Sequence, residues 1–98
     1  MSESRGRRPC CEDTPLGTRL KKGKRAKVIA SDGVNVRSAP DLEATDIGGL
    51  GTGTRVRIQD GPACADKIVW WRIRYEDRNA WIAEGWQEQG GFFLEPIG

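Results

Sequence analysis

Short stretches of alternating apolar and polar residues begin near Lys24 and continue almost to the end of the chain. In KRAKVIA (24–30) and VNVRS (34–38) every second residue is apolar or small, which is the period of a half-buried β-strand. No segment of useful length has an apolar period of 3.6 residues, so we expect almost no α-helix. The same strand pattern recurs in GTRVRIQ (53–59), IVWWRIRY (68–75), AWIAEGW (80–86) and GGFFLEPI (90–97).

Residues that favour turns separate these segments. Ser31-Asp32-Gly33 and EDRN (76–79) predict tight turns, and DGPACADK (60–67) predicts a longer one. Short strands packed into roughly 75 residues cannot form a large open sheet, and closure into a barrel protects their edges. The pattern therefore predicts an all-β fold, a small bent barrel of five to seven short strands.

The first part of the chain has a different composition. Residues 1–20 are rich in Ser, Arg, Pro and Gly with almost nothing to bury, which predicts a basic leader without regular structure before a domain at 21–98. Residues 1–30 carry nine basic residues against three acids, whereas residues 31–98 carry seven against eleven. Such an arm can contact nucleic acid or an anionic surface, or it can be a solvated leader, and both interpretations stay open.

Composition argues against an enzyme. The chain has no histidine and only three cysteines, so it lacks the usual general base at neutral pH and the commonest metal ligand. We therefore predict no catalytic residue, no metal site and no cofactor. The sequence also contains neither an apolar run of the ~18 residues that a membrane span requires nor the apolar segment of a secretory signal.

Several motifs in register resemble those of a known family. VNVRSAP (34–40) is followed by DIGGL (46–50), GTRVRI (53–58), Trp70-Trp71-Arg72-Ile73 and Trp81-Ile82. In this order, over residues 26–97, the chain resembles bacterial SH3 (SH3b) domains. The resemblance implies an SH3-like barrel that serves as a non-catalytic binding or targeting module for cell-wall peptide, glycan or protein ligands.

Two further segments are similar to an exported subtype of that family. GPACAD (61–66) resembles its cysteine-containing insertion, and WIAEG (81–85) resembles a segment near its end. The subtype often has a cysteine in its N-terminal lead-in, where this chain has Cys10-Cys11. This likeness implies an extracytoplasmic or envelope location, although a chain that begins without a signal leaves the cytoplasm possible.

The cysteines are interpreted as structural rather than reactive. No base or helix N-terminus is visible to activate a thiol. A disulfide from Cys64 to Cys11, or alternatively to Cys10, would fasten the leader to the barrel. A bridge to Cys11 would close a loop of about 53 residues, which the chain-entropy model values at roughly 4 kcal/mol.

The ligand site is predicted from tryptophans and their polar neighbours. Alternation places Trp71 in the core with Ile73, and it places Trp70 half exposed on the face of Arg72 and Arg74. Exposed tryptophans combine large contact area with little loss of entropy, and they suit a carbohydrate or peptide. The predicted ligand-binding set is Trp70, Trp81, Trp86, Asn35, Arg37 and Glu84.

Each of these residues also has a purely structural interpretation. Asn35 and Arg37 can bond backbone carbonyls of a neighbouring loop, and the tryptophans can all serve the core. The arginines around Trp70 have acids close in sequence, which favours cross-strand ion pairs over nucleic-acid binding by the barrel. Two alternative functions stay open: a structural protein-interaction domain with a basic arm, and a binder of nucleic acid or anionic surfaces through residues 5–27.

Overall fold

A computed structural model of the protein describes residues 19–65, 67–86 and 90–97. The predicted leader, apart from its last two residues, lies outside these ranges. Within them every regular element is a strand, which confirms the all-β class. The strands are β1 (Arg25–Val28), β2 (Val34–Arg37), β3 (Asp46–Leu50), β4 (Arg55–Arg57), β5 (Asp60–Ala65), β6 (Ile68–Tyr75), β7 (Arg78–Ala83), β8 (Gly85–Trp86), β9 (Gly91–Phe92) and β10 (Leu94–Ile97).

The strands form two main sheets and one small hairpin. Strand order is β10-β1-β4 in the first sheet and β3-β2-β7-β6-β5 in the second, and β8 pairs with β9. All the paired strands are antiparallel. This arrangement confirms the small bent barrel, with more strands than predicted because β5 and the two-residue strands β8 and β9 add to the number.

The longest hairpin joins β6 to β7 through the predicted turn. Tyr75 pairs with Arg78, and the two residues between them, Glu76 and Asp77, have φ angles of 50° and 68°. A two-residue turn with positive φ at both positions matches the twist of the flanking strands. The turn at EDRN is therefore confirmed.

The long turn predicted for residues 60–67 is wrong over most of its length. Residues 60–65 form β5, in which Ala63 pairs with Trp70 and Cys64 with Val69. Gly and Pro weaken a central strand but are tolerated at edges and bulges. Strand β5 is an edge strand whose register shifts between Asp60 and Ala63, so its Gly-Pro pair falls where the sheet tolerates it.

One face of the second sheet and the inner face of the first enclose the larger group of buried residues, here called the main core. The alternation predicted for β1 and β2 is confirmed, since Val28 and Val36 are buried, and Ile73 of β6 is buried as predicted. Leu20, from the end of the predicted leader, also belongs to this group. The main core consists of Leu20, Ala26, Val28, Val34, Val36, Ile58, Val69, Trp71, Ile73, Ala80, Ile82 and Leu94.

A smaller group of buried residues, the second cluster, lies on the opposite face of β6. It consists of Ile68, Trp70 and Ala83, and half-buried Leu42, Trp81, Trp86 and Phe93 are among the residues that pack against it. Trp70 is only 1% exposed, so the predicted half exposure is wrong. Alternation failed here because both faces of this part of the sheet are covered, which removes the polar side that the pattern assumes.

Candidate ligand-binding groove

A groove of about 550 Å³ opens beside the second cluster. The turn before β2 and the first residues of β2 form one wall, and the β8–β9 hairpin with Phe93 forms the other. Its lining is Ala30, Ser31, Asp32, Gly33, Val34, Asn35, Arg37, Leu42, Trp70, Ala83, Trp86, Gly90, Phe92 and Phe93.

The hairpin wall is aromatic. Trp86 pairs with Gly91, and Phe92 pairs with Gly85, so each ring stands opposite a residue without a side chain. The backbone N–H groups of Phe93 (2.8 Å) and Leu94 (3.1 Å) both donate to the carbonyl oxygen of Glu84, which fixes the hairpin to the end of β7. Trp86, Phe92 and Phe93 are all half-buried and keep part of their ring surface open to a ligand.

The opposite wall is polar. Gly33 N–H donates to the Ala30 carbonyl at 3.0 Å, closing a turn that holds Asp32 at the surface. Asn35 on β2 is also exposed. Arg37 is half-buried, and its Nη1 donates to the Ala44 carbonyl at 3.1 Å, so the structural interpretation of this arginine is confirmed.

Trp70 supports the groove from below. Its indole Nε1 donates to the Ala65 carbonyl at 3.2 Å, and almost all of the side chain is covered by the second cluster. Because so little of the ring reaches solvent, Trp70 shapes the floor rather than offering the broad contact surface predicted for it.

Glu84 does not lie at the edge of the groove. It is 1% exposed, the one buried charged or polar residue among those that the structure describes. Its Oε1 accepts a hydrogen bond from Trp71 Nε1 at 2.8 Å, and its Oε2 accepts one from the Arg19 backbone N–H at 2.6 Å. The predicted role at the polar edge is wrong, because this carboxylate joins β6 to the start of the domain.

Trp81 also lies outside the groove. It pairs with Arg72 on β6 and with Arg37 on β2, and its half-buried ring packs against the second cluster. The groove thus brings together Trp70, Trp86, Asn35 and Arg37 and leaves out Trp81 and Glu84.

Sequence reasoning missed the remaining lining residues. The segment GGFFLEPI gave no signal that Phe92 and Phe93 would line one groove, since Phe92 ends β9 and Phe93 lies between β9 and β10. Asp32 was assigned to a turn without a role, and Leu42 had no signal at all. Long-range packing brings these residues together in the groove, and the local sequence pattern does not show it.

Arg19 is a further residue beside the groove that the sequence did not predict for the site. Its guanidinium carbon lies 3.9 Å from the centroid of the Phe92 ring, and its Nη2 donates to the Leu94 carbonyl at 2.9 Å. With its backbone N–H on Glu84, this arginine fastens the start of the domain to the hairpin that carries the aromatic wall.

Two further features bear on chemistry. Among the described residues, no group of three or more His, Cys, Asp and Glu side chains is placed to hold a metal ion. Cys64 is half-buried on β5, whereas Cys10 and Cys11 lie outside the described ranges, so the predicted bridge stays a prediction.

None of the described residues belongs to a helix long and apolar enough to span a bilayer.

The strands and the groove define a small β-barrel domain with a lined groove on its surface. The chain matches the family model of the bacterial SH3 domain over residues 32–87, more than half its length, and it belongs to that family. Membership suggests a binding or targeting module. Comparisons with curated proteins and with solved structures gave no match.

Proposed function

We propose that this domain is a non-catalytic binding module that holds a short cell-wall peptide in its groove. The observation that carries the proposal is the placement of an aromatic wall, Trp86 and Phe92, across from exposed Asp32 and Asn35 in one groove of about 550 Å³. Rigid aromatic rings supply contact area, and a few placed polar groups fix the orientation of a ligand.

The polar wall favours a peptide over a neutral glycan. A carboxylate (Asp32), an amide (Asn35) and a guanidinium (Arg37) match the amine, amide and carboxylate groups of a short peptide. The bond from Arg37 to the Ala44 carbonyl uses one of the five N–H donors of the guanidinium. A glycan remains the alternative ligand that the experiment below distinguishes.

The envelope location belongs to the same proposal. Cys64 lies on β5 opposite Val69 of the main core, the buried group that Leu20 also enters at the start of the domain. A disulfide between Cys64 and Cys11 would fasten the leader beside this group. Such a bridge requires an oxidising compartment.

The experiment is an NMR titration of the full chain with soluble wall peptides and, separately, with wall glycan oligomers. We expect peptide to shift resonances of Asp32, Asn35, Trp86 and Phe92, and glycan to shift few. Trp86→Ala should weaken peptide binding about 30-fold, since buried aromatic anchors commonly carry ~2 kcal/mol or more.

Trp81→Ala is the matched control. It removes the same side chain from outside the groove, next to the same cluster, and it should leave peptide affinity within a few-fold. Asn35→Ala adds a variant at an exposed position that does not threaten the fold. Equal losses in the two tryptophan variants, or shifts with glycan alone, would refute the peptide proposal.

A further inference from the structure

The outward face of the first sheet carries an unusual arrangement of charge. Arg25 on β1 pairs directly with Arg57 on β4, and Lys27 pairs with Arg55. Between them, Ala26 pairs with Val56 and faces the interior, so alternation puts the four cations on one face. These four residues are here called the cationic face.

Like charges directly opposite each other in an antiparallel pair are destabilising. Glu95 on β10 offsets part of the repulsion, with 3.6 Å between its Oε2 and Lys27 Nζ. Arg57 Nη1 donates to the Gly23 carbonyl at 3.3 Å, which is a neutral acceptor and offsets no charge. The exposed Lys21 and Lys24 of the adjoining turn add further positive charge. This face therefore holds more positive charge than folding alone requires.

An apolar residue continues the same outward row. Ile29 follows Lys27 by two positions and is 37% exposed, the one large hydrophobic residue classed as exposed among those described. Ile97 pairs with Arg25 and is half-buried on the same face. The face thus combines cations with aliphatic side chains.

We propose that the cationic face binds the surface of an anionic phospholipid bilayer. Each Lys or Arg near such a surface adds attraction, and an adjacent aliphatic side chain can enter the headgroup region. Single-stranded nucleic acid fits less well, because it is usually held by aromatic side chains and the outward rows of β1, β4 and β10 carry none.

This surface is separate from the groove. None of the four cations, and neither Ile29 nor Ile97, lines it. The inference therefore does not depend on the proposed peptide function, and the domain can hold a peptide while its other sheet lies against a membrane.

Vesicle co-sedimentation with the full chain tests the proposal. Vesicles of phosphatidylcholine mixed with phosphatidylglycerol should bind the protein, vesicles of phosphatidylcholine alone should not, and the binding should fall as salt is raised. Arg25→Gln with Arg57→Gln should lower the partition coefficient about 30-fold, since each cation near the surface contributes about fivefold. Ile29→Ser should lower it further without changing the salt dependence.

The control is Arg74→Gln with Arg78→Gln, an equal change of charge at exposed positions of the β6–β7 hairpin. It should lower binding far less. The paired variant on the cationic face relieves repulsion and should stay folded, and Arg55→Gln provides an independent second variant. Equal loss in the control, equal binding to neutral vesicles, or tighter binding to a single-stranded oligonucleotide than to anionic vesicles at the same salt would overturn the proposal.

Discussion

Trp70 and Trp71 are neighbours in the chain with nearly equal burial, yet they serve different parts of the molecule. Trp71 is 2% exposed within the main core, where its indole donates to a buried carboxylate. Trp70 is 1% exposed on the other face of β6, where its indole donates to a backbone carbonyl beneath the groove. Adjacent strand residues point to opposite faces, so one strand connects the two regions.

The difference teaches how this small domain divides its apolar residues. The main core holds twelve buried residues, whereas the second cluster holds three and is otherwise covered by half-buried residues. A group that is only partly covered stabilises the fold less and leaves ring surface for a ligand. We therefore expect changes around Trp71 to affect stability and changes around Trp70 to affect the groove.

The largest effect is expected from Cys64→Ser. Cys64 stands opposite Val69 on the Trp71 side of the sheet, so the proposed bridge fastens the leader beside the main core. Its loss should lower the free energy of unfolding by roughly 4 kcal/mol. Denaturant unfolding with and without reductant measures this.

Cys11→Ser should reproduce that loss, and Cys10→Ser should not. Reductant should destabilise the unaltered protein by a similar amount and leave Cys64→Ser unchanged. If reductant does not change the free energy of unfolding of the unaltered protein, the bridge is ruled out.

Next in size is the contrast between Trp71→Phe and Trp70→Phe. Trp71→Phe removes a donor from the buried Glu84 carboxylate, so it should cost about 3 kcal/mol in unfolding free energy. Trp70→Phe removes the same ring volume but only a neutral bond to Ala65, so it should cost about 2 kcal/mol, while reducing groove affinity more than Trp71→Phe does. Chemical denaturation and peptide titration of both variants give the comparison.

The double variant Trp71→Phe with Glu84→Gln tests whether the cost of Trp71→Phe comes from the buried carboxylate that loses a donor. An amide in place of the carboxylate removes the buried charge, so part of the lost stability should return. Equal destabilisation by the two tryptophan variants would contradict the division into two regions.

The sequence predicted the main core well and the second cluster poorly, and the reason is physical. Alternation assumes that one face of a strand meets water, which holds for Val34 and Val36 with exposed Asn35 between them. It fails at Trp70, because residues far away in sequence, among them Leu42 and Phe93, pack against the cluster that contains it. The family resemblance predicted the barrel but not which tryptophans would line the groove.

Glu84 shows the same limit from the polar side. A glutamate in a strand is expected at the surface, and nothing local indicates that Arg19 and Trp71 will meet it. Strand β5 is a milder case, since Gly61 and Pro62 predicted a turn that the sheet edge accommodates. Local chemistry was interpreted correctly at EDRN, where the turn depends on its own residues.

A third prediction concerns the polar wall of the groove. Gly33 has φ +78°, and a Cβ at this position would lie 3.3 Å from the Leu50 carbonyl carbon and closer still to its oxygen. Gly33→Ala should therefore cost about 2 kcal/mol in unfolding free energy through backbone strain and overlap. Thermal unfolding measures the loss.

Gly53→Ala is the matched control. Its φ is also positive, at +91°, but open space surrounds the added methyl group, so it should show the conformational cost alone. Peptide affinity should fall in Gly33→Ala and not in Gly53→Ala, because only Gly33 lines the groove. Equal costs in the two variants would mean that the contact with Leu50 is unimportant.

The smallest effect is expected from an ion pair on the same face of β6 as Trp70, at a point where that face is more exposed to solvent. Two residues beyond Trp70, Arg72 forms the predicted cross-strand ion pair with Asp60, at 3.6 Å between Nη1 and Oδ2. The Gly61 N–H bond to its Oδ1, together with the charges of Lys22 and Arg72, holds the pKa of Asp60 below its usual value. A carboxyl whose pKa is lower in the folded state stabilises the protein above its unfolded pKa, and this contribution is lost as pH falls through the folded value.

Asp60→Asn should therefore reduce the fall in Tm between about pH 5 and pH 2, and leave the groove unchanged. The effect should be small and should shrink further in high salt, since the pair is exposed to solvent. Asp77→Asn, an equal change of charge in the exposed β6–β7 turn, is the control. If both variants change the fall in Tm at acid pH equally, the loss of one negative charge explains the effect. The ion pair between Asp60 and Arg72 then contributes nothing specific.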